Sequence, residues 1–122
     1  MIRFFDTSAF VKRYVEETGS SMVRTALRSH SVVVARVTLA EAAAAVARAA
    51  RTGALTEAQR DVILARLPED FAKLSVIEIR PALVARVPGL VVRYPLRAYD
   101  AIQLAAAGSA NGACCRDVVR GR

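Results

Sequence analysis

Three of the eleven acidic residues in this 122-residue chain lie among apolar or small neighbours, whereas most of the others, such as Asp70, lie in polar surroundings where water would reach them. Asp6 follows two phenylalanines, Glu41 lies in an alanine-rich stretch, and Asp100 precedes an alanine and an isoleucine. An unpaired buried carboxylate is costly, and a shared cation would offset that cost. Mg²⁺ and Mn²⁺ prefer such oxygen ligands and keep several waters, which leaves room for a phosphate. The three residues therefore predict a metal site if the fold brings them together.

Each of these carboxylates also has a purely structural interpretation. Asp6 could cap a helix that begins near Ser8, because Asp is a favoured N-cap residue. Glu41 follows Thr38 at the spacing of a capping box. Asp100 falls in the first turn of a predicted helix, where the helix dipole favours negative charge. Taken singly, none of the three establishes a metal site.

Other residues with chemical potential are interpreted as structural. Glu78 also has apolar neighbours, but strand alternation puts it on a partly wet face, so it is left out of the predicted site. His30, the only histidine, follows a polar helix end and is interpreted as a surface residue rather than a general base. Tyr94 and Tyr99 are expected in the core rather than in a base-stacking platform, because no basic stripe is interleaved with them.

The segments that must position these residues alternate between strands and helices. Such alternation with short turns predicts a parallel sheet covered by helices on both faces. Ligands bind beyond the carboxyl ends of the strands in sheets of this kind, and Asp6 is predicted at one of those ends. Pro68 predicts a kink or break late in its helix. The predicted strands are 2–5, 31–35 and 75–79, and the predicted helices are 8–17, 20–28, 38–52, 56–71, 81–92 and 96–107.

Composition limits the classes of protein to which the chain could belong. The net charge of +7 comes almost wholly from arginine, which permits an RNA partner but fits an arginine-rich soluble surface equally well. The longest uncharged run, 101–115, is interrupted by small polar residues and is shorter than the roughly 18 apolar residues of a membrane span. Adjacent Cys114 and Cys115 are poorly suited to a structural disulfide. We therefore expect one cytoplasmic domain, 1–122, with no membrane association.

Three segments resemble the acidic motifs of the PIN-domain family, especially those of VapC toxins. The resemblance covers residues 2 to about 107 and implies a three-layer α/β/α fold with a central parallel sheet. It implies that Asp6, Glu41 and Asp100 are the catalytic residues and bind Mg²⁺ or Mn²⁺. Ser8 matches the hydroxyl position after the first aspartate and would contact the substrate phosphate, with helix capping as its alternative role. The matching segments are 5–12 (FDTSAFVK), 38–41 (TLAE) and 96–105 (LRAYDAIQLA).

The same resemblance implies an activity and partners. The chain would be a metal-dependent endoribonuclease that hydrolyses RNA phosphodiesters with a metal-activated water. It would be the toxin of a toxin–antitoxin pair, inhibited by a VapB-type antitoxin, and we expect a homodimer. The alternative function is a catalytically weakened module that binds antitoxin or RNA without turnover.

Residues 108–122 depart from the family pattern. The family adds a fourth strand that ends in a Thr/Ser-x-Asp motif, and no such motif follows residue 107 here. The last strand is therefore predicted to be missing or altered, through truncation, a shifted reading frame or divergence. Asp117 is either a displaced fourth acid or part of a solvated tail. Loss of the fourth acid would weaken cleavage more than metal binding.

Overall fold

The computed structural model describes residues 2–29, 31–110 and 117–119. His30, Cys114 and Cys115 lie outside these ranges, so the expectations about them stay predictions. The described chain forms an α/β fold in which neighbouring strands all pair in parallel. In the order of the sheet, the strands are β3 (Ser75–Ile77), β2 (Ser31–Ala35), β1 (Ile2–Phe5) and β4 (Asp117–Val119).

Helices connect each strand to the next. Between β1 and β2 lie α1 (Thr7–Val11) and α2 (Ser20–Ser29). Between β2 and β3 lie α3 (Val37–Arg51) and α4 (Glu57–Ala72). Between β3 and β4 lie α5 (Pro81–Val84), α6 (Val87–Arg93) and α7 (Ala98–Ala110). None of these helices is both long enough and apolar enough to cross a membrane.

Alternate residues of the strands are buried on opposite faces of the sheet, and each face has its own core. Phe5 packs with α1 to α4 on one face, where Phe10 meets Phe71 edge to face at a ring separation of 5.4 Å. Phe4 packs on the other face with Leu83 of α5 and with the alanines of α7. Adjacent residues of a strand point to opposite faces, so Phe4 and Phe5 serve two cores, each side chain contributing roughly 1.5–3 kcal/mol. The predicted three-layer α/β/α fold is confirmed.

The order of the strands reverses at β1, and this reversal marks a place where a ligand can bind. From β1 the chain moves to β2 and then to β3 on the same side, and it returns to pair β4 with the other edge of β1. In such open sheets, a crevice forms at the carboxyl ends of the strands where the order reverses. Asp6 directly follows β1 and therefore lies at this crevice.

The fourth strand decides between the two alternatives for the end of the chain. The last strand is altered rather than missing, because the three residues of β4 pair with β1 and satisfy its open edge. Asp117 pairs with Arg3, while Val119 pairs with Phe5. Asp117 thus lies at the amino end of the pairing, roughly 10 Å along the strand direction from the level of Asp6. This register gives no support to a displaced fourth acid.

Several helix boundaries differ from the predicted ones. Helix α1 ends at Val11 instead of Glu17, and the chain continues as tighter turns, such as that closed by the Arg13 N–H on the Phe10 carbonyl at 3.1 Å. The predicted helix 81–92 is split in two, because Pro88 lacks the N–H that would continue α5 and is suited to the first turn of α6.

Proline has no comparable effect in α4. Of the kink or break predicted at Pro68, the break is wrong, because the helix continues through this residue to Ala72. Leu67 and Phe71 on either side are each 2% exposed and anchor this last turn in the core. Packing therefore outweighs the local cost of the missing backbone hydrogen bond.

Candidate active site

Asp6 has two roles that prove compatible. It is the N-cap of α1, and its Oδ1 accepts a hydrogen bond from the Ala9 backbone N–H at 2.9 Å. The capping interpretation is therefore confirmed. Asp6 also lines a cavity at the carboxyl end of β1, so the cap fixes the carboxylate at the rim of this cavity.

The capping-box interpretation of Glu41 is wrong. Helix α3 begins one residue before Thr38, and its N-cap, Arg36, makes no side-chain capping bond. Glu41 Oε1 instead accepts hydrogen bonds from the Thr7 hydroxyl at 2.7 Å and from Gln103 Nε2 at 3.0 Å. Since the start of a helix is set by φ/ψ and packing as well as by residue type, spacing alone misassigned this glutamate.

Gln103 connects three elements at this point. Its Nε2 also lies 2.7 Å from Thr38 Oγ1 and 3.1 Å from Thr7 Oγ1. An amide nitrogen has two hydrogens, so the three acceptors share them. The amide must turn this nitrogen toward Glu41, because its oxygen would face the carboxylate with like charge. Gln103 Oε1 is buried and has no partner among the described residues. The charge-assisted hydrogen bond from Nε2 to Glu41 therefore outweighs the cost of leaving this oxygen without a partner.

Gln103 and Thr7 are the residues that sequence reasoning missed. Gln103 is buried, with 8% exposure, whereas the other buried residues of α7 are alanines. One signal was present: it follows Asp100 by three residues, and residues at that spacing share a helix face. A polar side chain on the apolar face beside a predicted ligand should therefore have been considered part of the site.

Of the predicted site residues whose side chains the structure describes, Asp100 and Ser8 are the most accessible. Asp100 lies in the first turn of α7, and both side chains are exposed. Asp6 and Glu41 are half-buried, so the premise that all three carboxylates are buried is wrong. Flanking apolar residues predicted buried elements, but a residue at an element's end faces the crevice rather than the core. All four residues line one cavity of ≈ 200 Å³.

The donors around this cavity determine which ion would fit. The three carboxylates offer only oxygen ligands, which suits Mg²⁺ or Mn²⁺ rather than a soft metal. Within residues 2–29, 31–110 and 117–119, no three acidic, histidine or cysteine side chains lie close enough together to hold one ion. Mg²⁺ is commonly held by one or two carboxylates and keeps several waters. The cavity therefore fits a partly hydrated divalent ion rather than a tightly caged one.

Glu78 lies outside this cavity, as predicted. It forms a two-pronged ion pair with Arg36 on the surface, with Nη2 2.5 Å from Oε1 and Nε 3.0 Å from Oε2. The hydrogen bond from Arg36 lowers the pKa of the Glu78 carboxyl, and the guanidinium charge adds to this effect. The Glu78 carboxylate therefore takes part in a surface ion pair that joins the end of β3 to the start of α3.

The most buried acid in the described chain is Asp70, which the sequence suggested was an ordinary surface charge. It is 4% exposed and accepts hydrogen bonds from the Tyr14 hydroxyl and from Arg13, the latter at 3.3 Å. Burial raises the pKa of the Tyr14 hydroxyl above its ordinary value, and the bond to Asp70 raises it further. The cluster ties the turn after α1 to α4 and has a structural role.

Comparison with known proteins agrees with this architecture. No curated protein matches the chain. Residues 3–114 match the family model described as PIN domain. PIN domains are generally nucleases, and they typically depend on divalent metals. Because the match spans most of the chain and the parallel sheet flanked by helices agrees with it, this chain belongs to the PIN domain family.

Proposed function

We propose that this protein is a metal-dependent endoribonuclease, the toxin of a VapBC-type toxin–antitoxin system. The observation that carries the proposal is the convergence of Asp6, Glu41 and Asp100 on one cavity, although they come from three separate parts of the chain. The cavity lies where the strand order reverses, which is the usual ligand crevice of such sheets.

The proposed chemistry assigns a task to each side chain. Asp6, Glu41 and Asp100 would hold a partly hydrated Mg²⁺ or Mn²⁺, with bound water between the ion and any carboxylate that does not reach it. When bound, the ion would activate water and offset the charge of the scissile phosphodiester. The N-cap bond holds Asp6, and Thr7 with Gln103 holds Glu41, so both carboxylates are oriented before substrate arrives. Ser8, exposed in the cavity, would donate its hydroxyl hydrogen to a phosphate oxygen.

The proposed toxin identity and partners rest on the motifs and on the surface. The residues flanking the three carboxylates resemble those of VapC toxins over residues 5–12, 38–41 and 96–105. Protein partners, a VapB-type antitoxin and a second copy of the chain, would need accessible apolar surface. Val91 and Val92, in the last turn of α6, are 38% and 88% exposed, which suits such contacts.

The activity is tested by incubating the purified protein and its variants with RNA and Mg²⁺ or Mn²⁺. Asp6→Asn and Asp100→Asn remove one negative charge each at nearly constant shape, and both should abolish metal-dependent cleavage. Glu78→Gln removes a carboxylate outside the cavity and should cleave like the parent. Equal cleavage by the parent and both asparagine variants would mean that the activity comes from elsewhere or from a contaminant.

A second candidate function, RNA or antitoxin binding without turnover, is favoured by one observation. The described residues contain no compact group of three metal-binding side chains, which suits a weakened metal centre. RNA binding by the parent without cleavage at any Mg²⁺ or Mn²⁺ concentration would support this function and overturn the nuclease. For the toxin role, a VapB-type antitoxin should form a stable complex with the chain and suppress cleavage.

A further inference from the structure

A second cavity adjoins the acidic one and has a different lining. Its volume is ≈ 620 Å³, within the roughly 300–1,000 Å³ of typical ligand clefts. Thr7, Ser8 and Glu41 line both cavities, so the two share a wall. Tyr99 and Arg48 line the second cavity but not the acidic one. A long ligand bound at the acidic cavity can therefore continue directly into the second one.

Tyr99 is exposed to solvent instead of lying in the core as expected. It is 60% exposed in the first turn of α7, immediately before Asp100, which lines the acidic cavity. An exposed aromatic ring on a helix offers a flat surface at low entropic cost. Bases of a single strand stack on such rings without regard to sequence.

Arg48 supplies a positive charge to the same cavity. It is exposed on α3 and forms no ion pair with any residue in the described ranges, in contrast to Arg13, Arg24, Arg36 and Arg60. A guanidinium can donate two parallel hydrogen bonds to one phosphate.

The remaining charges of the second cavity limit what it can bind. Lys12 adds a positive charge, and its Nζ donates to the Thr18 carbonyl at 2.9 Å. Glu17 and Glu41 add two negative charges. The lining is thus nearly neutral in sum, which disfavours a duplex backbone with many phosphates. One ring and one accessible guanidinium in the same lining fit one base and one phosphate of a single strand.

We infer that the second cavity binds the single-stranded RNA that continues from the scissile phosphate. One base stacks on Tyr99, and a neighbouring phosphate is bound by Arg48. This inference rests on the proposed function, because it takes the acidic cavity as the place of cleavage. A base can stack on Tyr99 only when it is released from a helix, so the site selects unpaired RNA.

The test measures the affinity of a short fluorescent single-stranded oligoribonucleotide by anisotropy, without divalent metal, so that no strand is cut. Tyr99→Ala should weaken binding by roughly 5- to 150-fold, and Tyr99→Phe should restore most of it because the ring remains. Arg48→Ala should weaken binding and reduce the slope of log K against log salt by about 0.7, the value for one single-strand phosphate.

Two matched controls separate these effects from general changes of charge or surface. Tyr94→Ala removes a second exposed tyrosine, and Arg66→Ala removes an exposed arginine of α4; neither residue lines the two cavities. Both controls should bind like the parent. The melting temperature and circular dichroism of each variant check that it is folded. A duplex of the same sequence should bind the parent and Tyr99→Ala equally.

The outcomes separate this inference from the proposed function. Parent-like binding by folded Tyr99→Ala and Arg48→Ala overturns the inference, even if the parent cleaves RNA. No measurable binding of the single strand by the parent overturns it as well. Weakened binding by both variants, with Tyr99→Phe restored, supports it even if the parent never cleaves, in which case only the proposed nuclease fails.

Discussion

Gln103 donates a hydrogen bond from its side-chain nitrogen to the Glu41 carboxylate at 3.0 Å, although 62 residues separate them in sequence. The bond joins α7 to α3 across the carboxyl end of β1. Thr7 completes the contact from α1 with its own bond to the same carboxylate oxygen. The neutral side chains of Thr7 and Gln103 therefore hydrogen-bond α1 and α7 to Glu41 of α3, and these three helices position the candidate ligands.

Replacing Gln103 by leucine should impair the site more than the fold. Thr7, Thr38 and Glu41 would lose a donor, which costs about 1–3 kcal/mol of stability. Loss of a residue that orients a metal-binding side chain typically lowers metal affinity or activity by about 10–100-fold. Titration of Mn²⁺ binding and cleavage kinetics check this. Parent-like metal affinity in a folded Gln103→Leu variant would show that Glu41 does not need this support.

Thr56→Ala is a control variant that should lower the stability of the fold and leave the candidate site unchanged. Thr56 caps α4 through a capping box with Gln59, at 3.1 Å and 2.9 Å for the two reciprocal bonds. Removing this cap should lower the free energy of unfolding by about 0.5–2 kcal/mol. Urea unfolding measures the loss, and cleavage at a temperature well below unfolding should stay unchanged. Reduced cleavage there would mean that stability alone explains the effect of Gln103→Leu.

Divalent metal should stabilise the protein. At about 100 times its Kd, an ion that binds only the folded state adds about 2.7 kcal/mol to the free energy of unfolding. Thermal unfolding with and without Mg²⁺ or Mn²⁺ measures this increase. Asp6→Asn should lose most of it while keeping the helix cap, because Asn is also a good N-cap residue. Glu78→Gln should respond to metal like the parent, and an equal response from Asp6→Asn would exclude Asp6 as a ligand.

Alkaline pH should destabilise the fold through Tyr14. Its pKa is raised in the folded state from 10.0, first by burial and then by the bond to Asp70. Above about pH 10 the unfolded chain loses this proton while the folded chain keeps it, so the free energy of unfolding falls as pH rises. Tyr14→Phe should make that fall shallower, whereas Tyr94→Phe should not. Urea unfolding between about pH 9 and 11 tests this, and equal slopes for parent and Tyr14→Phe would contradict it.

Asp117→Asn should leave cleavage unchanged within about twofold. Asp117 pairs with Arg3, away from the end of β1 that carries Asp6, and the expected change is far smaller than the roughly hundredfold or greater loss for a catalytic group. Cleavage rates of the parent and Asp117→Asn at saturating Mn²⁺ provide the comparison. A loss as large as that of Asp6→Asn would restore Asp117 as a fourth acid.

Local sequence determined much of the architecture. The valine-rich strand predicted at 31–35 forms with those bounds, and Gly53, with φ of 85°, follows α3 close to the predicted end of that helix. Such features depend on β-branching, backbone freedom and short-range hydrogen bonds, which neighbouring residues specify. For the same reason, the order of elements and the placement of Asp6 after β1 could be predicted.

Tertiary structure alone decided which side chains complete the site. Glu41 had the spacing of a capping box, yet its partners are Thr7 and Gln103, which reach it only after α1, α3 and α7 pack together. Asp70 lay in a polar stretch and became buried, whereas Tyr99 became exposed beside the site. Burial and long-range hydrogen bonds depend on how faces of distant elements meet. The neighbours of the three carboxylates therefore made them candidates in the sequence, while packing selected the side chains that contact them.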